Sequence, residues 1–342
     1  MFYLFLALLA AALFGAATPL SKALLSSYTP FQLAGLLYLG ASLGTVGFSF
    51  GKRVQSQPWQ MSRKNIFRLL GAVIFGGMLA PLFLLMGLQA ASAASVSLWL
   101  PLEMVATAVL GRLIFRDHLG LFGWLGMTGV LLASILLSVG EGVAGITAGL
   151  LIALSCLCWG FDNNFTSLID GITPAQITFW KGLIAGLINL SIGMTVQSLL
   201  ADPFMLAGAL GIGVFSYGAS IVLYIMAAQN IGAARGQMFF ASSPFFGVVL
   251  SALFLGETIT AYQVAALVIL GVSLILVFRD RHEHRHLHEE MEHEHSHRHD
   301  DAHHGHEHPD GRRDTRHTHR HRHESATHSH PHWPDLHHRH TH

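Results

Sequence analysis

Ten stretches of about 20 mostly apolar residues occupy the first 279 positions, and that pattern rules out most folds. Twenty residues of helix are what it takes to cross the hydrocarbon core of a bilayer. The stretches fall at about 2–20, 31–50, 67–88, 92–115, 119–139, 146–169, 174–200, 205–228, 237–255 and 261–278. Hydrocarbon offers no hydrogen bonds, so a spanning segment of this length must close its own backbone bonds as a helix. With 51% hydrophobic residues, 12% charged residues and a mean hydropathy of +0.47, the chain lies outside the soluble range. The expected fold class is an all-α integral membrane protein with ten transmembrane helices.

A formal net charge of zero hides two unlike parts. Residues 1–279 carry 11 Lys/Arg and 7 Asp/Glu, whereas residues 280–342 carry 9 Arg, 13 Asp/Glu and 23 of the 24 His. The boundary falls at "VFRDRHEH", where an apolar run gives way to a segment too polar to bury a core. The opening "MFYLFLALLAAALFGAATPL" has no basic leader and reads as a retained first helix. Cys156 and Cys158 point about 200° apart on one helix and read as small packing residues.

Short cytoplasmic loops carry the excess of Lys and Arg. Lys52, Arg53, Arg63, Lys64 and Arg68 lie between the second and third spans, which puts that loop and both termini inside. The same parity places Arg112, Arg116, Arg235, Arg279 and Arg281 inside, and Glu141, Asp202 and Glu257 outside.

The chain also resembles itself. "LAAALFGAATPLSKALL" and "LSCLCWGFDNNFTSLID" align at an offset of 145, pairing Gly15 with Gly160. "RLIFRDHL" and "LFLGETIT" align at 140, pairing Asp117 with Glu257. Five helices is an odd number, so the second copy would be inserted upside down, as in secondary transporters whose site lies between inverted repeats. The expected division is 1–139, 146–279 and a disordered cytoplasmic tail at 280–342.

These segments, with "LPLEMVATAVLGRLIFRDHL", "SSPFFGVVLSALFLGETIT" and "LGVSLIL", resemble the EamA-type exporters of the drug/metabolite transporter superfamily over residues 1–279. Two departures are Met104 where the family often has Pro and Phe14 where it often has Trp. The resemblance implies an inner-membrane exporter of a small organic molecule, the family's cargoes ranging over amino acids, drugs, nucleotide-related metabolites and metal-chelating opines. It implies no cofactor for transport.

Polar side chains in the spans are few, and such residues usually face a cavity or one another. The candidates for a substrate cavity are Gln89, Trp99, Glu103, Trp159, Asp162, Asn163, Asn164, Lys181 and Tyr217. Asp162 and Glu103 are the carboxylates able to trade a proton for substrate, while Asp162 paired with Lys181 would be purely structural. Asn163 and Asn164 either recognise a zwitterion or join helices by hydrogen bonds. Trp99 and Trp159 either stack on a planar substrate or pack. Asp117 and Glu257, near helix ends, read as caps of helix starts.

No phosphate-binding "GxxxxGK[ST]" loop and no Ser/His/Asp set is present, since the one His outside the tail is His118, so an enzyme is not expected. No nucleic-acid partner is expected either, and a homodimer is compatible with the sequence.

The tail repeats H-x-H: His282, His284, His286 and His288; His293, His295, His297 and His299; His303, His304, His306 and His308; His317, His319, His321 and His323; then His328, His330, His332, His337, His338, His340 and His342. Neutral imidazole suits Zn, Ni, Co and Cu, and in extended chain i and i+2 lie on one side, so each H-x-H is a potential two-nitrogen clip. Interleaved Glu, Arg, Asp, Pro and Trp333 distinguish it from a plain His run.

Three functions follow. The first is a metabolite exporter whose tail binds divalent transition metal. The second is a transporter of metal-linked cargo, either a metallophore or an ion such as nickel, cobalt or zinc. The third is a membrane-anchored metal buffer, for which one helix would suffice. Transport of a free ion predicts His, Asp, Glu or Met ligands at helical spacing inside the spans, and the spans hold no such set.

Overall fold

The computed structural model describes residues 2–50, 61–115, 120–169, 172–199, 202–231 and 239–279, and the backbone of four segments of the tail. Nine described helices are long and apolar enough to cross a membrane: α1 (Phe2–Leu24), α2 (Pro30–Ser49), α3 (Arg63–Ala90), α4 (Ala93–Leu113), α5 (Leu121–Gly140), α6 (Gly142–Thr166), α7 (Pro174–Val196), α8 (Pro203–Tyr224) and α10 (Ala261–Arg279). The apolar helix α9 (Ser243–Leu255) is shorter. Sequence alone starts it at 237, and residues 232–238 lie outside those described. So do Lys52, Arg53, Arg116, Asp117, His118, Arg235 and Arg281.

Caps rather than hydropathy fix the helix ends. Thr29 and Gln32 form a reciprocal box at the start of α2, with Thr29 N donating to Gln32 Oε1 at 3.1 Å and Gln32 N to Thr29 Oγ1 at 3.2 Å. Pro30 occupies the first turn, where its missing N–H leaves no bond unmade. Thr173, Pro174 and Gln176 repeat the arrangement at α7. The polar first turn of α3 extends the helix to Arg63, earlier than its apolar run suggests, because Ser62 accepts from Asn65 N.

Three described segments widen into i→i+5 turns, Val73–Leu79 in α3, Gly111–Phe115 at the end of α4 and Gly213–Ala219 in α8. Those of α3 and α8 start 140 residues apart, close to the offset of the two T-P-x-Q caps. Pro81, just beyond the first, cannot donate to the carbonyl of Gly77. Asn189 of α7 supplies a donor there instead, at 3.3 Å, and the Tyr38 hydroxyl of α2 donates to the neighbouring Gly76 carbonyl.

Glycine sets how closely the helices approach. Lipid tails are as apolar as leucine, so small residues that let backbones touch carry much of helix association. Gly35 lies against the Leu190 backbone and Gly182 against the Tyr38 carbonyl, holding α2 to α7. Gly40 and Gly213 face each other where α2 crosses α8, and a side chain at either would meet carbonyl oxygen of the other helix.

Beyond Arg279 the described backbone consists of four strands, β1 (His282–His288), β2 (Met291–His297), β3 (His317–His323) and β4 (Ala326–His332). β1 pairs with β4 and β2 with β3, both antiparallel. The register sets His284 opposite His330 and His295 opposite His319. His299, His303, His304, His306, His308, His337, His338, His340 and His342 lie outside the described residues.

The α2–α8 crossing gives a test with an internal control. Gly213→Leu is expected to lose about 1–3 kcal/mol of stability through overpacking, seen as a lower unfolding temperature in detergent. Gly208→Leu, on an open face of the same helix, should leave it within error.

Candidate functional site

A cavity of about 130 Å³ lies where the two halves of the body meet. The first half contributes Phe14 of α1, Tyr38 and Ala41 of α2 and Glu103 of α4. The second contributes Trp159, Asp162 and Asn163 of α6, Thr178 and Lys181 of α7, and Tyr217 and Ile221 of α8. Lys181 is seven residues from the start of α7, or about 10 Å along the helix. The cavity therefore reaches toward the face from which α1 starts and on which α10 ends.

Inside it, Lys181 Nζ donates to Asp162 Oδ2 at 2.6 Å, the one ion pair among the described residues. Its side chains are only 17% and 4% exposed. Thr166 Oγ1 donates to Asp162 Oδ1 at 3.0 Å, so both carboxylate oxygens are used. Gly76 is what admits this carboxylate, since a methyl group at that position would overlap it. Across the cavity, Asn163 Nδ2 donates to Glu103 Oε1 at 2.8 Å and to Thr107 Oγ1 at 3.1 Å, tying α6 to α4. The Tyr217 ring lies 6.0 Å from Phe14 and 5.9 Å from Tyr38, forming an aromatic wall.

Six of the nine residues singled out in the sequence line this cavity: Glu103, Trp159, Asp162, Asn163, Lys181 and Tyr217. The other three stand elsewhere. Gln89 is exposed at the end of α3. Trp99 is fully buried and donates Nε1 to Ser134 O at 3.0 Å. Asn164 donates to the carbonyls of Thr107 and Gly160 at 3.1 and 2.8 Å, joining α6 to α4. Sequence reasoning missed Phe14, Tyr38, Ala41, Thr178 and Ile221 as lining residues. Of these only Tyr38 carried a signal, as a hydroxyl in the middle of an apolar span.

The opposite face is closed by a polar seam. Glu257, after α9, accepts Ala93 N at 2.8 Å and Ala94 N at 2.9 Å, capping the start of α4 in the other half. Gln263 of α10 donates to the hydroxyls of Ser92 and Ser95 at 3.1 and 2.9 Å. Both hydroxyls donate in turn to Glu141, that of Ser92 at 2.8 Å. Lys22 of α1 donates to Leu88 O at 2.5 Å and Ala91 O at 2.9 Å, closing the end of α3. Glu141 precedes the first residue of α6, and its side chain holds two serines instead of capping that helix.

Among the described residues no group of three or more His, Cys, Asp or Glu is placed to hold a metal ion. The tail's side chains lie outside that description. Cys156 and Cys158 are free and buried, and the Cys156 thiol points at Leu100 O at 3.7 Å.

Apolar helices around a shared polar cavity define a multi-pass membrane protein. The chain belongs to the EamA-like transporter family, whose pattern matches residues 1–139 and 146–279. It is 27% identical over 291 residues to an uncharacterized transporter of Methanothermobacter thermautotrophicus, covering 78% of this chain and 84% of that protein. It is 26% identical to the uncharacterized transporter YdfC of Bacillus subtilis, covering 72% and 80%. The uncharacterized inner membrane transporter YedA of Escherichia coli is 24% identical, covering 73% and 82%. A solved crystal structure overlays with a TM-score of 0.57 at 13% identity, covering 80% of this chain and 94% of that one, a likeness of fold.

Two sets of variants test the site. Asp162→Asn or Lys181→Met leaves one buried charge alone and should lower stability by about 3–5 kcal/mol. The double variant should recover much of that loss in the same thermal unfolding assay. At the seam, Glu257→Ala strands the N–H groups of the buried Ala93 and Ala94, each worth about 1–3 kcal/mol. With Ala41→Cys as a reporter in the cavity, it should speed labelling by an impermeant thiol reagent applied from the seam side.

Proposed function

We propose that this protein is a secondary transporter that exports a small organic metabolite across the inner membrane by alternating access. In this reading residues 1–139 and 146–279 are inverted five-helix repeats. The observation that carries it is a polar cavity with walls from both halves, closed toward one face by a seam of hydrogen bonds. Rocking one half against the other would open the seam and close the opposite side around the same cavity. The family membership and the relatives named as transporters support the class. The basic residues Arg63, Lys64, Arg68 and Arg279 support a cytoplasmic location for the face bearing both ends of the body.

For the tail we propose binding of Zn, Ni, Co or Cu through H-x-H clips, on the cytoplasmic side and apart from the translocation path. The donor chemistry of 23 imidazoles supports it. A metal-linked cargo, above all an organic metallophore, is the second reading. The Asn163 amide, the lysine and the carboxylates of the cavity favour it over a bare ion.

The deciding measurement is counterflow of labelled metabolites in liposomes holding the full chain. Exchange that is lost in Glu103→Gln is the expected result. Movement of Zn²⁺ or Ni²⁺ with no exchange of any organic solute would overturn the metabolite reading. A chain stopped after Arg279 should keep the exchange and lose equilibrium binding of Ni²⁺. If Ni²⁺ binding is unchanged by the truncation, the tail's metal role fails.

A further inference from the structure

The charges lining the cavity do not balance. Asp162 and Lys181 neutralise each other at 2.6 Å, and Thr166 takes up the second oxygen of Asp162. Glu103 lines the same cavity and accepts a hydrogen bond from the amide of Asn163, a neutral donor. No Lys, Arg or His among the described residues lies within ion-pair distance of Glu103. With both carboxylates ionised the lining carries one net negative charge. An ionised carboxylate at membrane depth needs a cation or several hydrogen bonds and otherwise takes up a proton, so the partner that keeps Glu103 charged must enter from outside the protein.

Aromatic rings form the remaining wall. Phe14, Tyr38, Trp159 and Tyr217 line the same cavity as Glu103. Ring faces attract cations, and more strongly where water is excluded, so aromatic walls beside a carboxylate suit an organic ammonium group. The space, about 130 Å³, is close to the roughly 150 Å³ of an apolar cavity that accepts benzene. That limits the guest to a compact molecule of about six to eight heavy atoms. An anion would meet Glu103 as a like charge. A zwitterion would bring a carboxylate that must share Lys181, and its charge, with Asp162.

Resting on the transporter reading of this cavity, we propose that its substrates are small organic cations, amines or quaternary ammonium compounds, whose nitrogen sits between Glu103 and the aromatic wall. Asn163 is a positioning residue, orienting the Glu103 carboxylate through the 2.8 Å hydrogen bond. The Asp162–Lys181 pair lines the same cavity, already neutralised, without binding the cation.

The test uses the full-length protein in lipid nanodiscs. Equilibrium binding of labelled choline is measured, with competition by tetramethylammonium, butylammonium, the neutral isostere 3,3-dimethylbutan-1-ol, the anion 3,3-dimethylbutanoate and the zwitterion glycine betaine. The three cations should bind at least tenfold more tightly than the neutral, anionic and zwitterionic compounds. Glu103→Gln should weaken choline binding at least tenfold while leaving the weak binding of the neutral alcohol unchanged, a readout that a merely unfolded variant would not give. Glu103→Asp should restore part of the choline affinity. Equal binding of choline and its neutral isostere overturns the proposal, as does tighter binding of glycine betaine, or a Glu103→Gln protein that holds choline as well as the parent. Liposome counterflow separates the two readings. Cations bound but never exchanged would sink the transporter reading alone, and exchange of other solutes without cation binding would sink the cation proposal alone.

Discussion

A membrane interior supplies no solvent to satisfy a polar group, and every notable feature of this body answers that constraint. Where Pro81 removes a donor, the freed Gly77 carbonyl is met by Asn189 from another helix. Asp162 enters the bundle with both oxygens engaged and with room made for it by Gly76. Trp99 buries its ring completely and still finds a carbonyl for its N–H. Glu103, joined to an amide but to no cation, is the lining charge left to be answered, and it faces the cavity.

Correspondence between the halves is visible in local chemistry more than in residue identity. T-P-x-Q opens α2 and α7 with the same reciprocal bonds, and the wide turns of α3 and α8 lie 140 residues apart. Their roles diverge. The first wide turn offers carbonyls to Tyr38 and Asn189, whereas the second carries Tyr217 into the cavity wall. One device thus serves interhelical bonding in one half and the cavity in the other.

Much of this body is legible in its sequence because hydropathy and helix length are one-dimensional properties. The positions of the spans and their polar exceptions can be read directly along the chain. Rotation about a helix axis cannot. Asn163 and Asn164 are neighbours, about 100° apart around α6. One meets Glu103 in the cavity and the other turns to backbone carbonyls. Trp99 and Trp159 look alike in sequence, yet one packs against α5 and the other lines the cavity. The wide turns shift the helical register by part of a turn in glycine-containing segments, where side chains give no periodic signal. The seam was hidden for another reason. Its key contacts join Glu257 and Gln263 to Ala93, Ala94, Ser92 and Ser95, more than 160 residues away.

The energetics of these two polar features assign them different parts in any movement of the halves. Four hydrogen bonds from Glu257 and Gln263 cross the seam between the halves. They lie at helix ends, and each contributes a net of about 0.5–1.5 kcal/mol once water replaces it as the halves part. Opening the seam is therefore within reach of a ligand, since about 5.5 kcal/mol of differential binding turns a 1:99 equilibrium into 99:1. The Asp162–Lys181 pair has no such replacement, because it is buried among α3, α6 and α7 with its oxygens fully used. Separating it exposes charge to a medium that cannot solvate it. Both of its members belong to the second half, so they can travel together while the seam parts. Glu103 of the first half and Asn163 of the second are joined across the cavity itself. A cation arriving at Glu103 binds a carboxylate that Asn163 already holds through one oxygen, and so loads a contact between the halves at the same step in which it binds.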